Sequence, residues 1–205
     1  MAIDTPARLA ILGASPLGLE AAIYARFLGY DVEVFEEAAI GGYVRRRGHV
    51  RSFVPFEHLH SPLGLAAIAA QDERYKAPRN DDYLTGDEWL ERYLAPLAAT
   101  DLIADQIRTA TRVVAIGRAG CLRGELYELA ADDNDPDAVY RGDYAFRLLL
   151  ENEAGEERIA EFDGIIDATE NFGTPNYLGE SGIPAVGERA ARRDASAPLT
   201  YDIPD

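Results

Sequence analysis

Gly13, Ser15, Pro16 and Gly18 fall within six residues, and Glu36 follows 18 positions after Gly18. Glycines at such spacing let backbone approach a ligand where side chains would intervene. A helix opening at Pro16 would aim its unpaired N–H groups, and the positive end of its dipole, at an anion. An acid at that distance downstream is placed to accept a ribose hydroxyl. The chemistry open to this set is the holding of a dinucleotide, with pyrophosphate on the helix and ribose on the carboxylate. The same pattern also serves an ordinary strand–turn–helix unit of an α/β protein.

Each position has a physical reason. Gly13 permits backbone angles closed to other residues. Pro16 suits the first helical position, where no N–H bond is lost. Gly18 would let the helix pack close against the strand. The middle position, where backbone nears the phosphates, is Ser15 rather than glycine. Its hydroxyl is expected to donate to a phosphate oxygen.

Arg45, Arg46, Arg47 and Arg51 form a basic cluster in an acidic chain. They are expected to neutralise a pyrophosphate or to hold an anionic substrate beside Gly41 and Gly42; the alternative is a solvated loop paired with surplus carboxylates. His49, His58 and His60 lie close together, but no acid or cysteine stands at metal-ligand spacing, so no metal is expected. Loop histidines, or one proton donor among them, are the remaining readings. Asp133, Asp135 and Asp137 alternate like a calcium loop, yet the next position is Ala138 and no glutamate closes it, which leaves an acidic surface loop. Cys121 reads as a core or strand thiol rather than a nucleophile. Trp89 and Tyr93 read as helix core. Ser15 and Ser61 have no histidine and acid at triad spacing. No residue reads as a catalytic acid, base or nucleophile.

These residues must be carried by a single α/β unit. The apolar run at 7–12 predicts a strand, 16–28 a helix stopped by Gly29, and 31–35 a second strand. A short helix is expected over 63–70. Thr85 and Glu88 form a capping box for a helix burying Leu90, Tyr93, Leu94 and Leu97, with Pro96 kinking its end. A second short helix is expected at 102–107 and strands at 111–116 and 121–129. A hairpin is expected over 144–151 and 156–162, then a buried strand over 163–169. The tail from 187 shows no element and reads as mobile.

The chain has 205 residues, 47% hydrophobic and 27% charged, as in a globular protein. Its net charge of −16 disfavours nucleic acid and anionic membrane surfaces as partners. One cysteine excludes an internal disulfide. No stretch reads as a membrane span or signal peptide, so the cytoplasm is the expected compartment.

In this order the pieces resemble the FAD-binding N-terminal part of the two-dinucleotide-domain flavoproteins, the thioredoxin-reductase-like and flavin-monooxygenase-like pyridine nucleotide oxidoreductases. The stretch 11–22 is similar to their first FAD fingerprint, and Ile165, Ile166, Asp167, Ala168 and Thr169 to their second motif, apolar residues before Ala-Thr-Gly. The resemblance implies a Rossmann-type FAD/NAD(P)-binding α/β fold: a mostly parallel sheet with an antiparallel hairpin layer. It implies a domain over 1–186, a hairpin insertion at 119–162, and a tail or linker at 187–205. It also implies site roles: Gly13, Ser15, Pro16 and Gly18 at the pyrophosphate, Glu36 at the ribose, and Gly41 and Gly42 towards the flavin, with Leu17, Glu37 and Arg45 also among the cofactor-binding residues. Val113 and Val114 would meet the adenine, and Ala168, Thr169 and Glu170 would complete the second motif.

Glu170 stands where that motif has glycine. A carboxylate held about 4 Å from a phosphate, at an effective dielectric of about 20, is repelled by about 4 kcal/mol, roughly a thousandfold in affinity. The family also continues into a nicotinamide-binding domain and returns with a strand ending in Gly-Asp. Neither follows Pro184, so a fragment or a naturally short protein is expected. The expected function is the FAD-binding domain of a flavin-dependent oxidoreductase acting on an unnamed small molecule, with NAD(P)H as donor in a fuller protein. Two alternatives stand: a non-catalytic relative serving as a binding or regulatory module, and a single-domain NAD-binding protein. Oligomeric state is left open.

Overall fold

The computed structural model describes residues 5–122, 144–169, 175–194, 196 and 199–201. Strand β1 (Arg8–Leu12) is buried at every residue after Arg8, which suits an inner strand covered on both faces. It leads through a glycine turn into α1 (Pro16–Phe27) and then β2 (Asp31–Phe35), which pairs parallel to β1 to complete one crossover unit. Ser15 caps α1, accepting from the Gly18 amide at 3.1 Å. Gly29, at φ +91°, turns the chain out of the helix.

Short helix α2 (Gly42–Arg46) follows, then α3 (Pro62–Gln71), capped by Ser61. Helix α4 (Gly86–Trp89) opens on the expected capping box, with Thr85 accepting from the Glu88 amide and Glu88 reaching back. It runs through a π turn (Leu90–Leu94) into α5 (Ala95–Ala98). The disturbance expected at Pro96 thus falls just before it. Pro96 has no N–H for the Arg92 carbonyl, and the Tyr75 hydroxyl donates to that carbonyl instead, at 2.8 Å.

The helix expected at 102–107 does not form as such. A 3-10 turn (Ala104–Gln106) delivers strand β3 (Ile107–Arg108), which pairs with the edge of β2. The strand's pairing overrides local propensity. Then come β4 (Thr111–Arg118), β5 (Phe146–Asn152) and β6 (Glu157–Phe162), an antiparallel meander, and β7 (Gly164–Asp167). The antiparallel layer therefore opens at β4, ahead of the 119–162 span. The parallel sheet has the order β3-β2-β1-β7.

Three layers result. Leu19, Ile23, Leu94, Leu97 and Tyr93 pack from the helices onto one face of the parallel sheet. Leu148, Leu150 and Phe162 of the meander cover the other, against Ala10, Leu12 and Phe35. Each such large side chain, fully buried, contributes about 1.5–3 kcal/mol. The strand expected at 121–129 is absent at Cys121 and Leu122; its remainder, with Asp133, Asp135 and Asp137, lies outside the described residues.

The tail is not featureless. Helix α6 (Glu188–Ala191) buries Glu188, whose carboxylate accepts from the Leu178 amide at 2.9 Å, the Ala185 amide at 2.6 Å and the Tyr201 hydroxyl. Burial alone would push the Glu188 carboxyl up, but the Tyr201 hydroxyl and those two amides hold it below the usual carboxylate range. The same carboxylate pushes Tyr201 up to about 12. A depressed acid stabilises above its ordinary pKa and loses that contribution as pH falls through the folded value. The Leu178 and Ala185 amide resonances should therefore hold while pH falls to 4.5, the ordinary value, and move only below it. Movement above that point would contradict the clasp.

His60 offers a second test. Its ring lies 4.4 Å from that of Phe56 and 6.1 Å from that of Tyr93, and neither ring nitrogen meets solvent or a described partner. An unpaired buried polar group costs about 1–3 kcal/mol. His60→Phe is expected to leave thermal stability unchanged or raise it; a loss of about 1 kcal/mol or more would show a partner for the ring.

Candidate functional site

A cleft of about 770 Å³ opens where β1, β2 and β7 end, bounded across by β4. Its floor is the turn after β1. Gly13 has φ +94°, and a Cβ there would lie 2.9 Å from the Ala168 carbonyl oxygen. Gly18 stands behind the turn: a Cβ on it would come within 2.0 Å of the Gly13 oxygen. Glycine is required at both places for close approach, as the sequence indicated.

Ser15 differs from expectation. Its hydroxyl donates to the Ala168 carbonyl at 2.8 Å and accepts from the Gly18 amide. A hydroxyl has one proton to give, so the donation expected towards a phosphate is already spent within the protein. Two backbone donors stay open nearby. The Ser15 and Leu17 N–H groups at the start of α1 donate to no described residue. Leu17 does not line the cleft, and its side chain is 67% exposed.

Glu36 reaches the cleft from the end of β2. Its two carboxylate oxygens accept from the Ala14 and Ala38 amides, each at 2.9 Å. Glu37, Gly42, Arg45, Ala168 and Thr169 also line the cleft. Pro16, Gly18 and Gly41 do not; Gly41, at φ +71°, packs beneath, its amide on the Ala14 carbonyl. Glu170 lies outside the described residues.

The basic cluster divides. Arg45 and Arg46 line the cleft, Arg45 being anchored by Nε on the Ile40 carbonyl at 2.8 Å. Arg47 stacks on Tyr43 at 4.4 Å, and Arg51 donates to the Tyr83 carbonyl. The far wall is β4, where a bulge between Val113 and Ala115 leaves Val114 without a partner in register on β5. Bulges re-aim backbone and side chains at such rims. Val114 is 40% exposed there.

Two charged lining residues were not singled out from sequence. Arg112, on β4, pairs with Glu151 at 3.1 Å. Asp167 accepts from the Thr169 amide at 3.0 Å and from its hydroxyl at 2.5 Å, so the Thr169 hydroxyl is also spent. Asp167 sits inside the quoted second motif, and that was its available signal. Among the described residues, no three His, Cys, Asp or Glu side chains converge as metal ligands, and no helix is long and apolar enough to cross a membrane.

A parallel sheet with a glycine turn at its switch point, backed by an antiparallel layer, is the Rossmann-type fold of FAD/NAD(P) flavoproteins. Solved structures that share it include bacillithiol disulfide reductase Bdr (YpdA) from Bacillus cereus, at 18% identity and TM-score 0.58, covering 85% of this chain and 43% of that one. S-allyl-L-cysteine S-oxygenase from Allium sativum matches at 15% and 0.53, covering 80% and 36%. OTEMO in complex with FAD and NADP matches at 19% and 0.53, covering 82% and 26%. The chain spans less than half the length of each. No family model matches it, and no curated protein does. At such identities the likeness establishes the fold.

Ser15→Ala removes the cap and the Ala168 bond together. Loss of about 2 kcal/mol is expected in denaturant unfolding without ligand. Unchanged stability would mean that the hydroxyl is free for a ligand.

Proposed function

We propose that the cleft holds FAD by its adenosine diphosphate half, making the chain the FAD-binding domain of a flavin-dependent oxidoreductase of the cytoplasm. The observation that carries this is the pair of uncommitted amides, Ser15 and Leu17, at the start of α1 beside the side-chain-free cradle at Gly13. Helix N-termini favour anions through N–H groups and dipole together. The cleft volume of about 770 Å³ falls in the range of small-molecule sites.

In this reading the Ser15 and Leu17 amides take the pyrophosphate. Glu36 accepts the ribose hydroxyls on the lone pairs its backbone bonds leave. Val114, at the bulge, meets the adenine, and Gly42 and Arg45 lie towards the flavin. Bound flavin supplies hydride or oxygen chemistry, with NAD(P)H as donor in a fuller protein; the chain's own residues bind and orient.

A second reading, a relative that keeps the turn without the cofactor, is favoured by one observation. The Ser15 hydroxyl and both Glu36 oxygens already serve the protein itself.

The purified chain mixed with FAD and desalted should retain flavin absorption, and Gly13→Val should abolish it. Flavin lost on desalting from the natural chain, with no change in its spectrum on mixing, would overturn the FAD reading and favour the binding module.

A further inference from the structure

We infer that Glu36 is the positioning residue of this cleft, its carboxylate building the glycine turn before any nucleotide arrives. Four polar groups of this one residue bond to four segments around the cleft. Oε2 accepts from the Ala14 amide in the turn after β1, and Oε1 from the Ala38 amide in the loop after β2, both at 2.9 Å. The Glu36 amide donates to the Arg108 carbonyl of β3, and its carbonyl accepts from the Thr111 amide that opens β4, again both at 2.9 Å.

Ala14 makes the carboxylate necessary. It is fully buried, so its N–H has no water to turn to if the acid is removed. Its carbonyl takes the Gly41 amide at 2.9 Å, so the residue is held at both of its flanking peptides. A carboxylate accepting from backbone N–H makes a charge-assisted bond, about twice as strong as a neutral one. The Ser15 and Leu17 amides follow one and three residues on, and their aim depends on where Ala14 is held. The acid expected to read the ribose therefore also sets the phosphate donors. The ligand part of this inference rests on the nucleotide reading; the turn-building part does not.

Glu36→Gln keeps the shape but offers one acceptor oxygen and one NH2 group, so one of the two amides must face a donor. Two measurements on the full chain separate the roles: amide exchange at Ala14 and Ala38 without ligand, and binding of inorganic pyrophosphate, which has no ribose, alongside ADP. In Glu36→Gln, exchange at one or both amides is expected to quicken at least about tenfold, and pyrophosphate binding to weaken by at least about tenfold together with ADP. Unchanged exchange would overturn the inference. So would equal pyrophosphate binding by both proteins while ADP alone weakens, the signature of a ribose contact only. If the natural chain binds neither probe, the nucleotide reading fails and exchange alone decides the turn-building role. Should Glu36→Gln not fold, Glu36→Asp, with its charge on a shorter arm, is read in the same way.

Discussion

The Ala168 carbonyl, at the end of β7, is the point on which this structure depends. Gly13 comes so near that a Cβ would sit 2.9 Å from its oxygen, and Ser15 donates its only hydroxyl proton to it at 2.8 Å. The Ala168 amide in turn donates to the Leu12 carbonyl at 2.9 Å, continuing the β1–β7 ladder to its end. One residue thus ties the first strand, the turn and the start of α1 to the last strand of the sheet. The cleft exists because side chains are kept out of that junction, and the helix dipole points into it because Ser15 fixes the helix there.

Capture of an anion at the proposed site must be local. With a net charge of −16, the long-range field repels phosphates. Screening confines that repulsion to about 8–10 Å in physiological salt, whereas amides at a helix start act at hydrogen-bond distance. Arg45, Arg46 and Arg112 bring positive charge to the cleft, against Glu36, Glu37 and Asp167. Arg45 and Arg112 are already held by Ile40 and Glu151. Each is held through one guanidinium nitrogen, so the start of α1 adds backbone donors to those the arginines retain.

Much of this was legible in the chain. The fingerprint from Gly13 to Gly18, the acid at Glu36 and the capping box at Thr85 are short-range patterns, and each has its cause within a few residues. The hairpin around Gly155 was legible for the same reason. What escaped depends on distant partners. The Ser15 hydroxyl is claimed by Ala168, 153 positions away, which no local spacing shows. β3 has two residues and exists only because β2 offers an edge. Arg112 enters the cleft wall through the packing of β4 beside the parallel sheet, and Glu188 is buried by contacts from Leu178, Ala185 and Tyr201 on either side of it.

The most direct measurement is an amide-resolved NMR titration of the chain with ADP. The largest shifts are expected at the Ser15 and Leu17 amides, with the Ala14 amide, held by Glu36, moving little. No shifts at millimolar ADP, or shifts gathered away from the turn after β1, would contradict it.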